Sequence, residues 1–177
     1  MEPVRVEPVR ARGHAVIGGS GAEEGRIAGV VVHPIALYPD DRGHFAEVFR
    51  DSDPVAEGFA VRQSSITRTR AGVIKAFHYH RFQDDIFCPL TGTARIALVD
   101  FRPDSPTYGR ANSIFAGELY PKAVRIPAGV AHGYEVLPGA DLLMVYYTNQ
   151  TYNPGDEYRL PYDDPAIGFD GWGVRNR

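Results

Sequence analysis

The chain carries one cysteine, one tryptophan and two methionines in 177 residues. A lone thiol excludes an intramolecular disulfide, and Cys88, inside the apolar run Ile86-Phe87-Cys88, reads as a small buried hydrophobe. No apolar run approaches the roughly 18–20 residues needed to cross a bilayer. The N-terminal MEPVRVEPVRARGHAVIGGSG holds no apolar stretch of the signal-peptide kind, so a cytoplasmic protein without a membrane partner is expected. Excess basic charge is missing as well. Nineteen Lys and Arg against 22 Asp and Glu give a net charge of −3, which leaves no electrostatic footprint for nucleic acid. Sustained 3.6-residue apolar periodicity is absent, so long helices are not expected.

What is abundant is punctuation. Fourteen prolines and 19 glycines separate short apolar runs such as Val30–Tyr38, Gly72–Phe77, Asp85–Cys88, Ala94–Phe101, Ala123–Ile126 and Asp141–Thr148. Short strands between turn signals predict an all-β sandwich or jelly roll, with one short helix over Ser52–Glu57. The length suits one well-cored domain and not two. Residues 1–24 contain the near-duplicates Glu2–Arg5 and Glu7–Arg10 followed by glycine-rich sequence. They read as a flexible or weakly docked arm ahead of a single domain over 25–177.

The densest chemical signal is the segment GVIKAFHYHRFQDDIFCPLTG, from Gly72 to Gly92. His78 and His80 are two apart, which on a strand points both side chains to one face. Asp85 follows five residues later, past a bend that can return its carboxylate toward the imidazoles. Downstream, Pro127-Ala-Gly129-Val-Ala-His132 supplies a third histidine. This two-part pattern resembles that of the cupins, double-stranded β-helix (jelly-roll) barrels whose active site lies in the barrel mouth. Asp84 is the fallback acid if the bend differs by one residue.

Further colinear segments resemble the dTDP-4-dehydrorhamnose 3,5-epimerases, cupin-fold enzymes of deoxysugar biosynthesis. DRGHFAEVF from Asp41 is similar to their DxRGxFxExF segment, and VRQSS from Val61 to FxQxNxS. The stretch Gly72–His80 is similar to GVLRGLHyQ, and Asp100–Gly109 to DxRxxSPTfG. Ile126–Tyr134 is similar to IPxGfAHGF, and Tyr152-Asn-Pro and Asp164-Pro-Ala-Ile-Gly close the series. The resemblance implies an epimerase or isomerase acting on a nucleotide-linked 4-keto-6-deoxy sugar by proton exchange beside the ketone. It needs no cofactor. A carbon acid of this kind requires a base near neutral pKa, and positive charge or donors where the enolate oxygen develops. Carried over by position, the base is His78 and the enolate-side cation is Lys75. The implied substrate-binding residues are Arg42, Phe45, Glu47, Gln63, Ser65 and Tyr152. The resemblance further implies a homodimer that exchanges an N-terminal strand, placing residues near Arg42 in the partner's pocket.

The departures from that family pattern are specific. Its lysine is replaced by Asp85, and its glutamine two residues after the base by His80. Counting from His132 and from Asn149 places its catalytic tyrosine at Val145. Tyr147, on the face expected for Val145, is then the replacement acid, with Tyr146 expected to face the other way. The chain also ends at Arg177, without the aspartate that orients the family's histidine; Asp100 and Asp141 are conceivable substitutes. Together, His78, His80, Asp85 and His132 make a possible ligand set for Zn²⁺, Fe²⁺, Mn²⁺ or Ni²⁺. The alternatives to the epimerase are therefore a metal-dependent cupin enzyme on the same scaffold and a sugar-nucleotide-binding cupin without catalysis.

Overall fold

The computed structural model describes residues 14–17 and 24–173. Of the expected N-terminal arm, residues 1–13 and 18–23 lie outside the described residues. The strands are β1 (His14–Ile17), β2 (Val31–Pro34), β3 (Leu37–Asp40), β4 (Gly43–Ala46), β5 (Gln63–Thr69), β6 (Ile74–Tyr79), β7 (Asp85–Thr91), β8 (Thr93–Asp100), β9 (Ala111–Gly117), β10 (Lys122–Ile126), β11 (Val130–Val136), β12 (Leu142–Thr148) and β13 (Tyr158–Arg159). The helix expected over Ser52–Glu57 is a single 3₁₀ turn at Pro54–Ala56. Pro54 supplies a fixed φ at its start, and Val55 and Ala56 anchor it in the core.

Two sheets face each other in a jelly roll. The six-stranded sheet runs β1-β9-β8-β11-β6-β13 and the five-stranded sheet β2-β10-β7-β12-β5. Alternating side chains of both sheets fill the space between them, among them Phe87, Ile96, Leu98, Ile114, Val124, Tyr134, Val136, Leu142 and Met144. Both outer faces are covered too. Ile167, Phe169 and Trp172 from the C-terminal segment pack on Phe77, Tyr79 and Val99 outside the larger sheet. Val55, Phe59 and Phe49 cover Ile86 and Cys88 outside the smaller one. Burial on two sides explains why β7 and β8 read as continuous apolar runs and not as alternating ones. The thiol of Cys88 is pushed up to about 12 by that burial.

The hairpin β3–β4 forms its own two-stranded sheet. Tyr38 and Phe45 lie against each other on it, yet they remain 57% and 63% exposed.

Candidate active site

A cavity of about 930 Å³ opens where β5, β6, β7, β12 and β13 converge; its lining includes Gln63, Lys75, His78, His80, Asp85, Phe87, Tyr134, Met144, Tyr146, Tyr152 and Arg159. Its size lies within the range of small-ligand pockets.

The position of β6 follows from its pairing with β11. His132 lies opposite His78, and Tyr134 lies opposite Lys75. Three steps along β6 thus match two along β11, and the extra residue is a β-bulge. Residues three apart on a regular strand face opposite ways; a bulge re-aims one of them. Lys75 and His78 therefore both reach the cavity. Gly133 sits across from the bulge, and a Cβ there would come within 2.3 Å of the Ala76 Cβ. Only glycine leaves the room.

His78 and His80 lie side by side, with ring centroids 5.4 Å apart, and the His132 ring is 4.1 Å from that of His78. The two-residue spacing thus brings the imidazoles together as expected. Burial, then the neighbouring His132, His80 and Arg159, holds His78 well below its ordinary pKa. At neutral pH it is an uncharged imidazole able to accept a proton. Lys75 Nζ lies 3.3 Å from Thr67 Oγ1, which holds the ammonium at the cavity wall.

Asp85, the first residue of β7, is 3% exposed. Its Oδ2 lies 3.0 Å from His132 Nε2 and 3.7 Å from His80 Nε2, while Oδ1 accepts from Gln83 at 2.8 Å. Asp84 does separate work. It accepts from Arg125 Nη2 and from the Ala128 amide, both at 2.9 Å, and so ties its own loop to β10 and to the turn that follows β10. The fallback role for Asp84 is thereby excluded. Neither conceivable orienter reaches His78. Asp100 is bound by Arg102, Ser105 and Thr107, and Asp141 accepts from the Ala71 amide.

Tyrosine is where the sequence reading needs correction. Tyr147 is absent from the cavity wall; its ring packs 4.8 Å from Phe49 on the outer face, and burial raises its phenol pKa. Met144, Tyr146 and Thr148 face the cavity instead. The alternation was read correctly and the register was one residue off, which moves every side chain to the other face.

The expected substrate residues separate into two groups. Gln63 and Tyr152 line the cavity, and Gln63 ties them to Ser65: its Oε1 accepts from the Tyr152 amide at 3.0 Å, and its Nε2 donates to Ser65 Oγ at 3.2 Å. Arg42, Phe45 and Glu47 do not reach the cavity of their own chain. Arg42 pairs with Asp40 and Glu47 with Arg50, on or beside the exposed hairpin.

A family model described as dTDP-4-dehydrorhamnose 3,5-epimerase matches residues 24–176. The chain belongs to this epimerase family. It is 45% identical over 153 residues to the Bacillus subtilis spore coat polysaccharide biosynthesis protein SpsL, covering 85% of this chain and 99% of SpsL. Among solved structures it is similar to the Legionella pneumophila dTDP-6-deoxy-D-glucose-3,5-epimerase in complex with dTDP-4-keto-L-rhamnose, with TM-score 0.72, 27% identity and coverage of 80% and 77% of the two chains. It is likewise similar to ChmJ of Streptomyces bikiniensis, a 3'-monoepimerase in complex with dTDP-quinovose, with TM-score 0.73, 25% identity and coverage of 81% and 75%. Within this epimerase family, the chain's buried His80, Asp85 and His132 lie together beside His78.

Proposed function

We propose that this epimerase acts on a dTDP-linked 4-keto-6-deoxy sugar, inverting a carbon next to the ketone. The observation that carries this reading is the convergence of Lys75, His78 and Tyr146 on one cavity wall system. His78, neutral at physiological pH, takes the proton from the carbon beside C4. The electron pair moves onto the carbonyl oxygen, and the ammonium of Lys75 stabilises the enolate. Tyr146 then delivers its phenolic proton to the opposite face of that carbon, which inverts it, and is reprotonated from solvent. The 65% exposed Tyr152 at the rim offers an aromatic face to the nucleotide base, and Arg159 offers charge to the diphosphate.

The working unit in this reading is a homodimer. The hairpin β3–β4, with Tyr38 and Phe45 exposed and Arg42 at its turn, reaches across to complete the partner's cavity. That assignment gives Arg42, Phe45 and Glu47 a role that their own chain does not. A lone buried thiol and a nucleotide-activated substrate fit a cytoplasmic enzyme. The metal-dependent alternative shares His78 with this reading and adds His80, Asp85 and His132 as ligands.

The assignment of the acid is tested with two variants on dTDP-4-keto-6-deoxy-D-glucose. Tyr146→Phe should lower kcat by about 10²–10⁴-fold, whereas Tyr147→Phe, on the outer face, should keep wild-type turnover. The reverse pattern would overturn the assignment.

A further inference from the structure

Among the described residues, the buried carboxylate of Asp85 has imidazoles and the Gln83 amide beside it and no lysine or arginine. His80 Nδ1 lies 2.6 Å from the Asp156 carbonyl oxygen, and His132 Nδ1 lies 2.9 Å from the Val130 carbonyl oxygen. A carbonyl only accepts, so each Nδ1 carries the ring proton and donates it. In the neutral ring, each Nε2 is then left with a bare lone pair, and both face the same oxygen, Asp85 Oδ2. Among the described residues, the buried His132 Nε2 has no hydrogen-bond partner, although Oδ2 is only 3.0 Å away. Lone pairs aimed at a carboxylate at that distance repel each other unless a cation lies between them.

The supports around the three side chains are those of a ligand set. Ligating histidines usually donate their second ring N–H to a carbonyl or carboxylate, and ligating carboxylates are themselves hydrogen-bonded. Here the two Nδ1–H groups meet carbonyls, and Gln83 holds the far oxygen of Asp85. Asp156, whose carbonyl fixes His80, is held in turn by the Arg81 and Phe82 amides at 2.8 and 3.1 Å. Metal–ligand bonds of about 2.0–2.2 Å place neighbouring ligand atoms roughly 3.0–3.4 Å apart. The observed 3.0 and 3.7 Å need adjustments of only a few tenths of an ångström. One ligand atom from each of His78, His80, Asp85 and His132 lies within 4.8 Å of the others.

We infer that His80, Asp85 and His132 bind a divalent transition-metal ion at the cavity floor, leaving His78 beside it as the base. Two neutral imidazoles and one carboxylate with open positions suit Fe²⁺, Mn²⁺, Zn²⁺ or Ni²⁺. A +2 ion with one carboxylate leaves a net charge of +1. The inference deepens the proposed epimerase reading and rests on it only for leaving His78 free.

The test needs no substrate. The purified full-length protein is stripped with chelator, dialysed in turn against Fe²⁺, Mn²⁺, Zn²⁺, Ni²⁺ and Co²⁺, and its metal counted by elemental analysis. One ion per chain is expected for at least one of them. His80→Asn, Asp85→Asn and His132→Asn should each weaken that binding by on the order of a hundredfold or more, and His78→Asn should retain it. Circular dichroism verifies the fold of each variant. The Co²⁺ form of the wild type gives a separate reading, through d–d bands of a nitrogen- and oxygen-ligated ion. No bound metal with any of the five ions would overturn the site, leaving a His132–Asp85 ion pair in its place. Loss of metal from His78→Asn would make His78 a ligand and overturn the division of roles. Failure of the proton-transfer reading would appear in turnover and leave the metal count unchanged.

Discussion

Replacing Gly133 by alanine is expected to damage both stability and turnover through a single displacement. An added Cβ would lie 2.3 Å from Ala76 Cβ and 2.6 Å from both Ala76 Cα and the Lys75 carbonyl oxygen. Carbon atoms pack best at about 3.5–4.0 Å, so β6 must retreat by on the order of 1 Å. Two of the three obstacles are backbone, which no rotamer change relieves. The cost should therefore sit near the top of the range for overpacking, about 3 kcal/mol. For a chain of this size that lowers Tm by roughly 6–12 °C. The strand that moves carries Lys75 and His78, and a misplacement of about 1 Å can cost on the order of a hundredfold in rate. Differential scanning calorimetry and a turnover assay on the same preparation read both effects. A Gly133→Ala protein with wild-type Tm and wild-type turnover would refute the bulge as the device that positions these two side chains.

Two further outcomes follow from charge. Because burial and its cationic-capable neighbours hold His78 well below its ordinary 6.5, the acid limb of the kcat/KM profile should fall below pH 6.5; a limb at or above that value would contradict His78 as the base. At Asp100, burial pushes the carboxyl up, but hydrogen bonds from Arg102, Ser105 and Thr107 outweigh it and hold the pKa below 3.8. The folded state then binds fewer protons than the unfolded chain, so this contribution is complete above about pH 3.8 and is lost as pH falls through the folded value. Asp100→Asn removes it at every pH. The loss should lie near the lower end of roughly 3–5 kcal/mol, since Arg102 is 27% exposed, and chemical denaturation at neutral pH measures it.

The histidine pair was legible because a two-residue spacing on a strand has one geometric consequence, whereas the bend before β7 left Asp84 open beside Asp85 until the strand start at Asp85 decided between them. The strands dense in apolar residues were legible too. β9 was not. Its Asn112 and Ser113 interrupt the apolar pattern although both are fully buried. Asn112 serves the backbone there, accepting from the Ile27 amide at 2.9 Å and donating to the Gly25 carbonyl at 2.8 Å. β5 is an edge strand with Ile66 72% exposed, so its alternation carries little hydrophobic signal. His14–Ile17, taken as part of the arm, pairs in parallel with Ala111–Ile114 of β9, a long-range contact that no local pattern announces. The confusion of Tyr146 with Tyr147 has a similar origin. In the run Val145-Tyr146-Tyr147 each face offers a plausible residue, and only the pairing of Tyr146 with Phe87 and of Tyr147 with Ile86 fixes which tyrosine enters the cavity. The β6 bulge is a property of two strands together, and one strand's sequence does not contain it.

The most direct test of the central claim, that His78 removes a proton from the carbon beside the ketone, is solvent exchange. dTDP-4-keto-6-deoxy-D-glucose is incubated with the enzyme in D₂O and the sugar ring is read by NMR and mass spectrometry. The account predicts deuterium at a carbon flanking C4 with the wild-type protein and none above background with His78→Asn. Turnover without deuterium in the ring, or exchange that survives in His78→Asn, would contradict it.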